Sequence, residues 1–314
     1  MRRVFVYEHL SAGGASTAAQ ALLPQGVAMR DAIIADLLRV TGVATTCAVC
    51  DRPGAGTPRG AWAKAVQPGE SAVAFVERMA RLHDLAWVVA PESDGLLAQL
   101  HEAVGAARWI GCDAATIRVA TSKHATLAAL ALSGVVTPLA FADGHRGPWI
   151  VKPDDGAGAE DTVVHRDREA AQADLRQRRD AGQRATLEPF IEGEALSVSM
   201  LAGRHSAEAI ACNRQDIRIG PHGRLAYHGV HHRPHDPRAP RLRAVAEEVA
   251  RAMPGLRGFI GIDIVWHPAR GPVVIEVNPR VTCAYVGLSA ALRRNLAADV
   301  LALHDLEVPL HACT

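Results

Sequence analysis

Phe259-Ile260-Gly261-Ile262-Asp263-Ile264-Val265-Trp266, then His267-Pro268-Ala269-Arg270-Gly271, then Pro272-Val273-Val274-Ile275-Glu276-Val277-Asn278: this stretch decides how the chain is read. Two runs dominated by Ile and Val flank a short connection containing Pro and Gly, the pattern of two strands in a hairpin. In a hairpin centred near Ala269, Asp263 falls opposite Glu276. Side chains alternate along a strand, so Asn278 shares the face of Glu276. Both carboxylates interrupt runs that are otherwise almost wholly apolar, which sets them apart from the ordinary polar face of a half-exposed sheet. Two carboxylates and an amide oxygen on one face are unfavourable unless a cation lies between them. Oxygen donors with room for phosphate and water suit Mg²⁺. Arg280, two residues beyond Asn278, extends that face as a clamp for a phosphate or for charge developing in a transition state.

Upstream, Trp149-Ile150-Val151-Lys152 reads as a strand that runs into Pro153-Asp154-Asp155-Gly156-Ala157-Gly158-Ala159. Small residues there let backbone N–H groups approach phosphate oxygens, and Lys152 adds a point charge. The P-loop pattern G-x-x-x-x-G-K-[ST] is absent. Between this loop and the hairpin lies Thr186-Leu187-Glu188-Pro189-Phe190-Ile191-Glu192-Gly193-Glu194-Ala195, an extended segment whose free backbone groups suit a purine edge and whose carboxylates suit ribose hydroxyls.

The first 110 or so residues alternate strands and helices. Strands are expected at 4–7, 43–50 and 86–90, and helices at 29–41, 71–82 and 95–104. That order predicts a parallel sheet with right-handed crossovers. Gly13-Gly14 completes no G-x-G-x-x-G fingerprint. It follows the first strand all the same, at the carboxyl edge where open α/β sheets bind ligands, so Glu8, His9 and Gly13 are placed to touch a substrate. Further helices are expected at 123–133, 168–181, 240–253 and 286–303.

Composition narrows the field. Hydrophobic residues make up 49% and charged residues 21%, as in an ordinary globular protein of two or three packed parts. The net charge of +1 and the absence of a basic aromatic surface argue against a nucleic-acid partner. The apolar opening is short and is interrupted by Glu8, unlike a secretory signal, and no run approaches the roughly 20 residues of a membrane helix. A cytoplasmic protein with no membrane partner is the expectation. Six cysteines, at 47, 50, 112, 212, 283 and 313, are too sparse for a disulfide framework. Cys47 and Cys50 end a strand-like run rather than opening a helix, so they read as structural.

Lys123, Lys152 with its glycine loop, Glu188-Pro189-Phe190-Ile191 with Gly193-Glu194, Asp263, and Glu276-Val277-Asn278-Pro279-Arg280 occur in the order and spacing of the ATP-grasp superfamily. On these five blocks the chain resembles that superfamily over essentially its whole length. The fold so implied is α/β, with α+β character in its C-terminal part. It has an N-terminal open parallel-sheet domain (1–115), a small central lid (116–187) and a C-terminal mixed-sheet domain (188–314) carrying the metal site. The resemblance implies that Lys123, Lys152, Gly156 and Gly158 meet the phosphates of ATP and that the backbone of Glu188 and Ile191 holds adenine. Asp263, Glu276 and Asn278 would ligate two Mg²⁺ ions, with Mn²⁺ as a substitute, and Arg280 would contact the acyl-phosphate. Glu194 would hold ribose, although in some relatives the matching position is Ala195. Ser122 replaces the usual Asp before the first lysine, and Ala159-Glu160-Asp161 stands where further glycine is common. Many relatives dimerise, so a homodimer is also an expectation.

The opening Val4-Phe5-Val6-Tyr7-Glu8 with Gly13-Gly14, the loop 152–158 and Asn213-Arg214-Gln215 resemble one branch of that superfamily. It contains the tyramine–L-glutamate ligases of methanofuran biosynthesis and their methylofuran counterparts. The implied reaction activates a carboxylate as an acyl-phosphate and joins it to an amine, here the γ-carboxyl of L-glutamate to tyramine. Lys152 and Arg280 are the catalytic candidates. Arg214 suits a substrate carboxylate, since a guanidinium matches it bidentately. His228, beside His231 and His232, lacks a fourth zinc ligand nearby and is read as lining the substrate pocket, where it could take the proton of the amine. The alternatives are an amino-acid or peptide ligase of the same fold, and a non-catalytic ATP-binding regulator.

Overall fold

The computed structural model describes residues 1–14, 18–156 and 158–305, so Ala157 of the glycine loop and Cys313 lie outside the described residues. Three sheets organise the chain. The first contains β1 (Arg2–Glu8), β2 (Val43–Val49), β3 (Trp62–Ala65), β4 (Leu85–Val89) and β5 (Trp109–Ile110), in the order β3-β2-β1-β4-β5. Every pairing in it is parallel. A parallel sheet needs both faces covered, and β1 accordingly reads apolar throughout. Val4 and Val6 pack toward Ile33, Ile34 and Leu37 of α1 (Leu23–Leu37). Phe5 and Tyr7 face Phe75 and Met79 of α2 (Ala72–Arg81) and Leu97 and Leu100 of α3 (Leu96–Val104).

Helix α1 starts six residues earlier than the apolar periodicity suggests, because Pro24 occupies its first turn, where a missing N–H costs nothing. The edge strand β3 has no apolar signal, being exposed along its length, and β5 is only two residues long. Helices α4 (Ala114–Thr121) and α5 (Lys123–Leu132) follow, each started by a side-chain cap, Asp113 for α4 and Ser122 for α5.

The second sheet is small and antiparallel: β6 (Trp149–Pro153) lies between β7 (Val163–His165) and β8 (Ala185–Pro189). Helix α6 (Arg168–Asp180) covers it through Ala171, against Trp149 and Val151. The third sheet contains β9 (Glu194–Ala202), β10 (Ala207–Ile219), β11 (Leu225–His232), β12 (Gly258–His267) and β13 (Gly271–Asn278), in the order β11-β10-β9-β12-β13. All its pairings are antiparallel, so the two strand directions expected of the fold are divided between sheets rather than mixed within the C-terminal one. Helix α7 (Ala239–Ala252) lays Leu242, Ala246 and Val249 on one face of this sheet, against a core that includes Leu196, Val198, Ile262 and Ile264. The opposite face is polar around Ser197, Ser199 and Asp263, while Leu201 and Phe259 at its far end join the core with Val300 and Leu301. Where a single helix was expected at 286–303, the chain forms a 3₁₀ turn (Cys283–Tyr285), α8 (Leu288–Leu292) and α9 (Leu296–Asp305). Arg293 adopts a positive φ of 53°, and the Asn295 side chain then accepts the Ala298 N–H to start α9. Among the described residues no helix is long and apolar enough to cross a membrane.

The β12–β13 hairpin contains the detail that matters most. From the turn outward, His267 pairs with Gly271 and Ile264 with Val274, but Asp263 pairs with Glu276. Strand β13 therefore carries one extra residue, Ile275, in a β-bulge. Without it Ile275 would stand opposite Asp263 and Glu276 would turn to the other face.

The start of β9 is fastened to the same hairpin. A Cβ on Gly193 would come 2.2 Å from the Trp266 carbonyl oxygen and 2.8 Å from Val265 Cγ1. Gly193→Ala is expected to cost about 1–3 kcal/mol of stability, seen as a lower urea midpoint with an unchanged denaturant slope, as for overpacking of an interior. An unchanged midpoint would show that the backbone there yields freely.

Candidate active site

Ladder register defines the polar face. Asp263 pairs with Ser197 on one side and Glu276 on the other, Gly261 pairs with Ser199 and Asn278, and Ser197 pairs with Asn213. Asn213, fully buried, donates to the hydroxyls of Ser197 and Ser199 at 3.3 and 3.1 Å and meets His232 Nδ1 at 2.8 Å. Asp263 accepts from Gln215 Nε2 at 2.8 Å and from Asn278 Nδ2 at 3.2 Å. Burial pushes the Asp263 carboxyl above the usual range, and the charge of Glu276 pushes it further. Burial acts the same way on Glu276, but Lys123 and then Lys152 outweigh it, and Glu276 is held low. Glu276 thus has two lysines and Arg280 in support, whereas Asp263 has Arg280 alone and stays raised, and the deficit is what a divalent ion between them would fill. The donors are all hard oxygens, which fits Mg²⁺. Among the described residues no group of three or more His, Cys, Asp or Glu side chains forms a cage, so the cation reading rests on two carboxylates and an amide.

Three cations reach this face, each from a different element. Lys123 opens α5, and its Nζ lies 3.0 Å from Glu276 Oε1 while donating to the Gly156 carbonyl at 2.8 Å. Burial disfavours its charge, but Glu276 prevails and raises its pKa. Lys152, at the end of β6, forms an ion pair with Glu188 of β8, both side chains being buried. Glu188 Oε2 has no hydrogen-bonding partner among the described residues. A buried acceptor left open beside an extended backbone fits a ligand that brings its own N–H groups. Ile191, also buried, follows β8 and enters neither neighbouring ladder. Arg280 forms a bidentate pair with Glu92, 2.9 Å from Nε and 2.9 Å from Nη2. Glu92 escaped the sequence reading because nothing marks it except its place after β4, at the same sheet edge as Glu8.

The glycine loop lies against the first sheet. Asp94 N–H donates to Asp155 Oδ2 at 3.0 Å, Arg184 pairs with the same oxygen at 2.6 Å, and a Cβ on Gly156 would lie 3.6 Å from Ser93 Oγ. Gly158 (φ 75°) faces Leu22.

Other expected residues stand elsewhere. Alternation along β9 puts Glu194 on the face opposite Ser197 and Asp263, where it pairs with Arg238 at 2.7 Å and Arg214 at 3.4 Å. Glu194 is therefore away from the face expected to hold ribose, and Ala195 occupies the matching position on it. Arg214, paired in the ladder with Leu196, shares the wrong face and faces Glu194 rather than a substrate cleft. His228 is exposed on β11; with His231 it adds a small stabilisation to the charge of Asp216, whose main partner is Arg218. Tyr227 instead reaches the Cys283 thiol and feels Asp263, a pocket-side aromatic that the sequence reading missed. Glu8 is buried and accepts the Ser11 and Leu10 N–H groups at 2.7 and 3.1 Å, with burial pushing its carboxyl up. Gly13, at φ 90°, has its carbonyl held by Arg52. The five cysteines among the described residues are free thiols.

A family model described as "ATP-grasp domain" matches residues 120–284, and one described as "pre ATP-grasp 3 domain" matches residues 43–117. The tyramine–L-glutamate ligase of Methanocaldococcus jannaschii is 27% identical over 209 residues, 65% of this chain and 58% of that protein. Its counterpart from Methanocaldococcus fervens is 26% identical over the same length, 61% of that protein. The match thus spans less than two thirds of either relative. Among solved structures, an ATP-grasp superfamily protein from Archaeoglobus fulgidus superposes with a TM-score of 0.69 at 21% identity, covering 96% of this chain and 88% of that one. The VanG D-Ala:D-Ser ligase of Enterococcus faecalis gives 0.69 at 13% identity, covering 96% and 99%.

The carboxylate pair has a consequence for stability. The folded pKa of Asp263 is raised, so ionising it costs folding free energy as pH climbs above the ordinary value of roughly 4. Asp263→Asn removes that cost. In cation-free buffer the variant should gain on the wild type by up to about 4 kcal/mol between roughly pH 4 and 8, read from thermal midpoints. Mg²⁺ should narrow the gap by stabilising the wild type alone. A gap that stays flat with pH would contradict this account of the pair.

Proposed function

Since the chain belongs to the ATP-grasp family, we propose that it is an ATP-dependent ligase that activates a carboxylate as an acyl-phosphate and joins it to an amine. The observation that carries the reading is one half-buried face where Asp263, Glu276 and Asn278 meet Lys123, Lys152 and Arg280. In this reading residues 1–115 supply the substrate edge, 116–187 the lid over the phosphates and 188–314 the cation face. Asp263, Glu276 and Asn278 hold two Mg²⁺ ions, or Mn²⁺ in their place. When bound, such ions offset charge on the phosphate oxygens.

The residues of the chain do the rest. Glu188 and the backbone of Ile191 seat adenine, with Glu188 Oε2 as the open acceptor for its amino group. Lys123 exchanges the Gly156 carbonyl for a phosphate oxygen, and Lys152 turns from Glu188 toward the same group. Backbone N–H groups at Gly156 and Gly158 close over the phosphates and keep water from the intermediate. A carboxylate oxygen of the substrate attacks the γ-phosphorus and ADP leaves. The amine then attacks the acyl carbon and phosphate leaves. Arg280 offsets the negative charge of both steps.

The similarity to two tyramine–L-glutamate ligases supports L-glutamate and tyramine as the substrate pair.

The test is ADP release from purified protein with Mg-ATP, L-glutamate and tyramine, each omitted in turn. Turnover should need all three, persist with Mn²⁺, and fall by about 10²–10³-fold in Lys152→Ala and Glu276→Ala. Turnover with two amino acids but not with tyramine would replace the substrate pair. Tight Mg-ATP binding without ADP release for any carboxylate and amine would sink the ligase reading and favour a nucleotide-binding regulator.

A further inference from the structure

Arg280 is oriented by a residue that no motif contains. Glu92 lies 188 positions away in the chain, in the turn that follows β4 at the carboxyl edge of the first sheet. Its two oxygens take Nε and Nη2 of Arg280, and both side chains are almost wholly enclosed, at 9% and 4% exposure. A fork-on-fork pair fixes the plane of a guanidinium as well as its position. With that edge taken, Nη1 is the free end; its contact in this structure is a long 3.3 Å bond to the Val281 carbonyl. The same carboxylate also raises the pKa of Lys123, so its field reaches a second cation of the site.

The neighbours of Glu92 touch the opposite wall of the cleft. Asp94 N–H holds Asp155 of the glycine loop, and Ser93 Oγ faces Gly156. Asp94 adopts φ 55° and Gly95 φ 69°, the tight turn that lets three consecutive residues serve two different partners. One short turn of the first sheet therefore contacts both the clamp that follows β13 and the loop that follows β6.

We infer that Glu92 is the positioning residue of Arg280: it holds the guanidinium plane so that Nη1 meets the group being transferred, and thereby ties catalysis to the first sheet. The inference rests on the clamp role given to Arg280 above. A residue that only glued the fold together would affect ground-state binding and transition-state binding alike, whereas a positioning residue acts on the second.

The experiment measures the Kd of Mg-ADP alone and with aluminium fluoride, a mimic of the transferring phosphoryl group, for the full chain and four variants. These are Glu92→Gln, Glu92→Asp, Arg280→Lys and the Glu92→Gln/Arg280→Lys double variant. Glu92→Gln is expected to keep the Mg-ADP Kd within about 3-fold and to lose about 10- to 100-fold of the tightening by aluminium fluoride. Glu92→Asp should recover part of that loss, and the double variant should lose no more than Arg280→Lys, as for two groups acting as a unit. If Arg280→Lys keeps the full tightening, the clamp itself fails, and this inference with it. If Arg280→Lys loses it while both Glu92 variants keep it, or if the two losses multiply, the clamp stands and the positioning role is overturned. Equal weakening of both Kd values by the Glu92 variants would likewise reduce Glu92 to a structural pair.

Discussion

Two carboxylates facing each other across a buried β-ladder form the constraint from which the rest of the site follows. Like charges side by side in a low-dielectric interior cannot both ionise cheaply. The protein partly compensates with Lys123, which settles Glu276, and with the amides of Gln215 and Asn278, which satisfy Asp263 without neutralising it. The bulge at Ile275 creates the problem deliberately, since ordinary register would have separated the two groups onto opposite faces. A β-bulge that re-aims one side chain is a device typical of functional sites.

The cations around the pair show how three sheets make one cleft. Lys123 opens a helix between the first and second sheets, Lys152 ends a strand of the second, and Arg280 follows the last strand of the third. Each has a carboxylate partner, namely Glu276, Glu188 and Glu92. Breaking a buried pair by removing one partner leaves an uncompensated charge. An anionic ligand that takes the lysines leaves Glu276 and Glu188 uncompensated in turn, unless it arrives with cations of its own, as a metal-bound nucleotide does. The pairs are therefore well suited to exchange partners rather than to lock the cleft, and Arg280, held bidentately, is the one least free to move.

Much of this was legible in the sequence for physical reasons. The Ile and Val runs broken by Asp263 and Glu276 could hardly be anything but strands, and Lys152 at the head of a glycine loop announces itself by composition. Parity was harder. A strand beginning at Glu194 rather than Ala195 sends its first carboxylate to the wrong face, and a one-residue choice at a strand end has no local signal. Arg214 fails for the same reason: whether it or its neighbours Asn213 and Gln215 face the site depends on register, and β10 shifts register against β9 between Ala209 and Ala211. Glu92 was invisible because its role depends on a partner 188 residues away. The break between α8 and α9 was hidden by continuous apolar periodicity, which the capping of Asn295 overrides.

In the proposed mechanism the paired carboxylates form a divalent-cation site that works with bound nucleotide. The most direct measurement is Mn²⁺ binding to the full chain by electron paramagnetic resonance of the free ion, with and without ADP. The account predicts tight Mn²⁺ uptake that strengthens when ADP is present and loses that strengthening in the Asp263→Asn/Glu276→Gln double variant. Nucleotide-dependent uptake that survives unchanged in the double variant would contradict it.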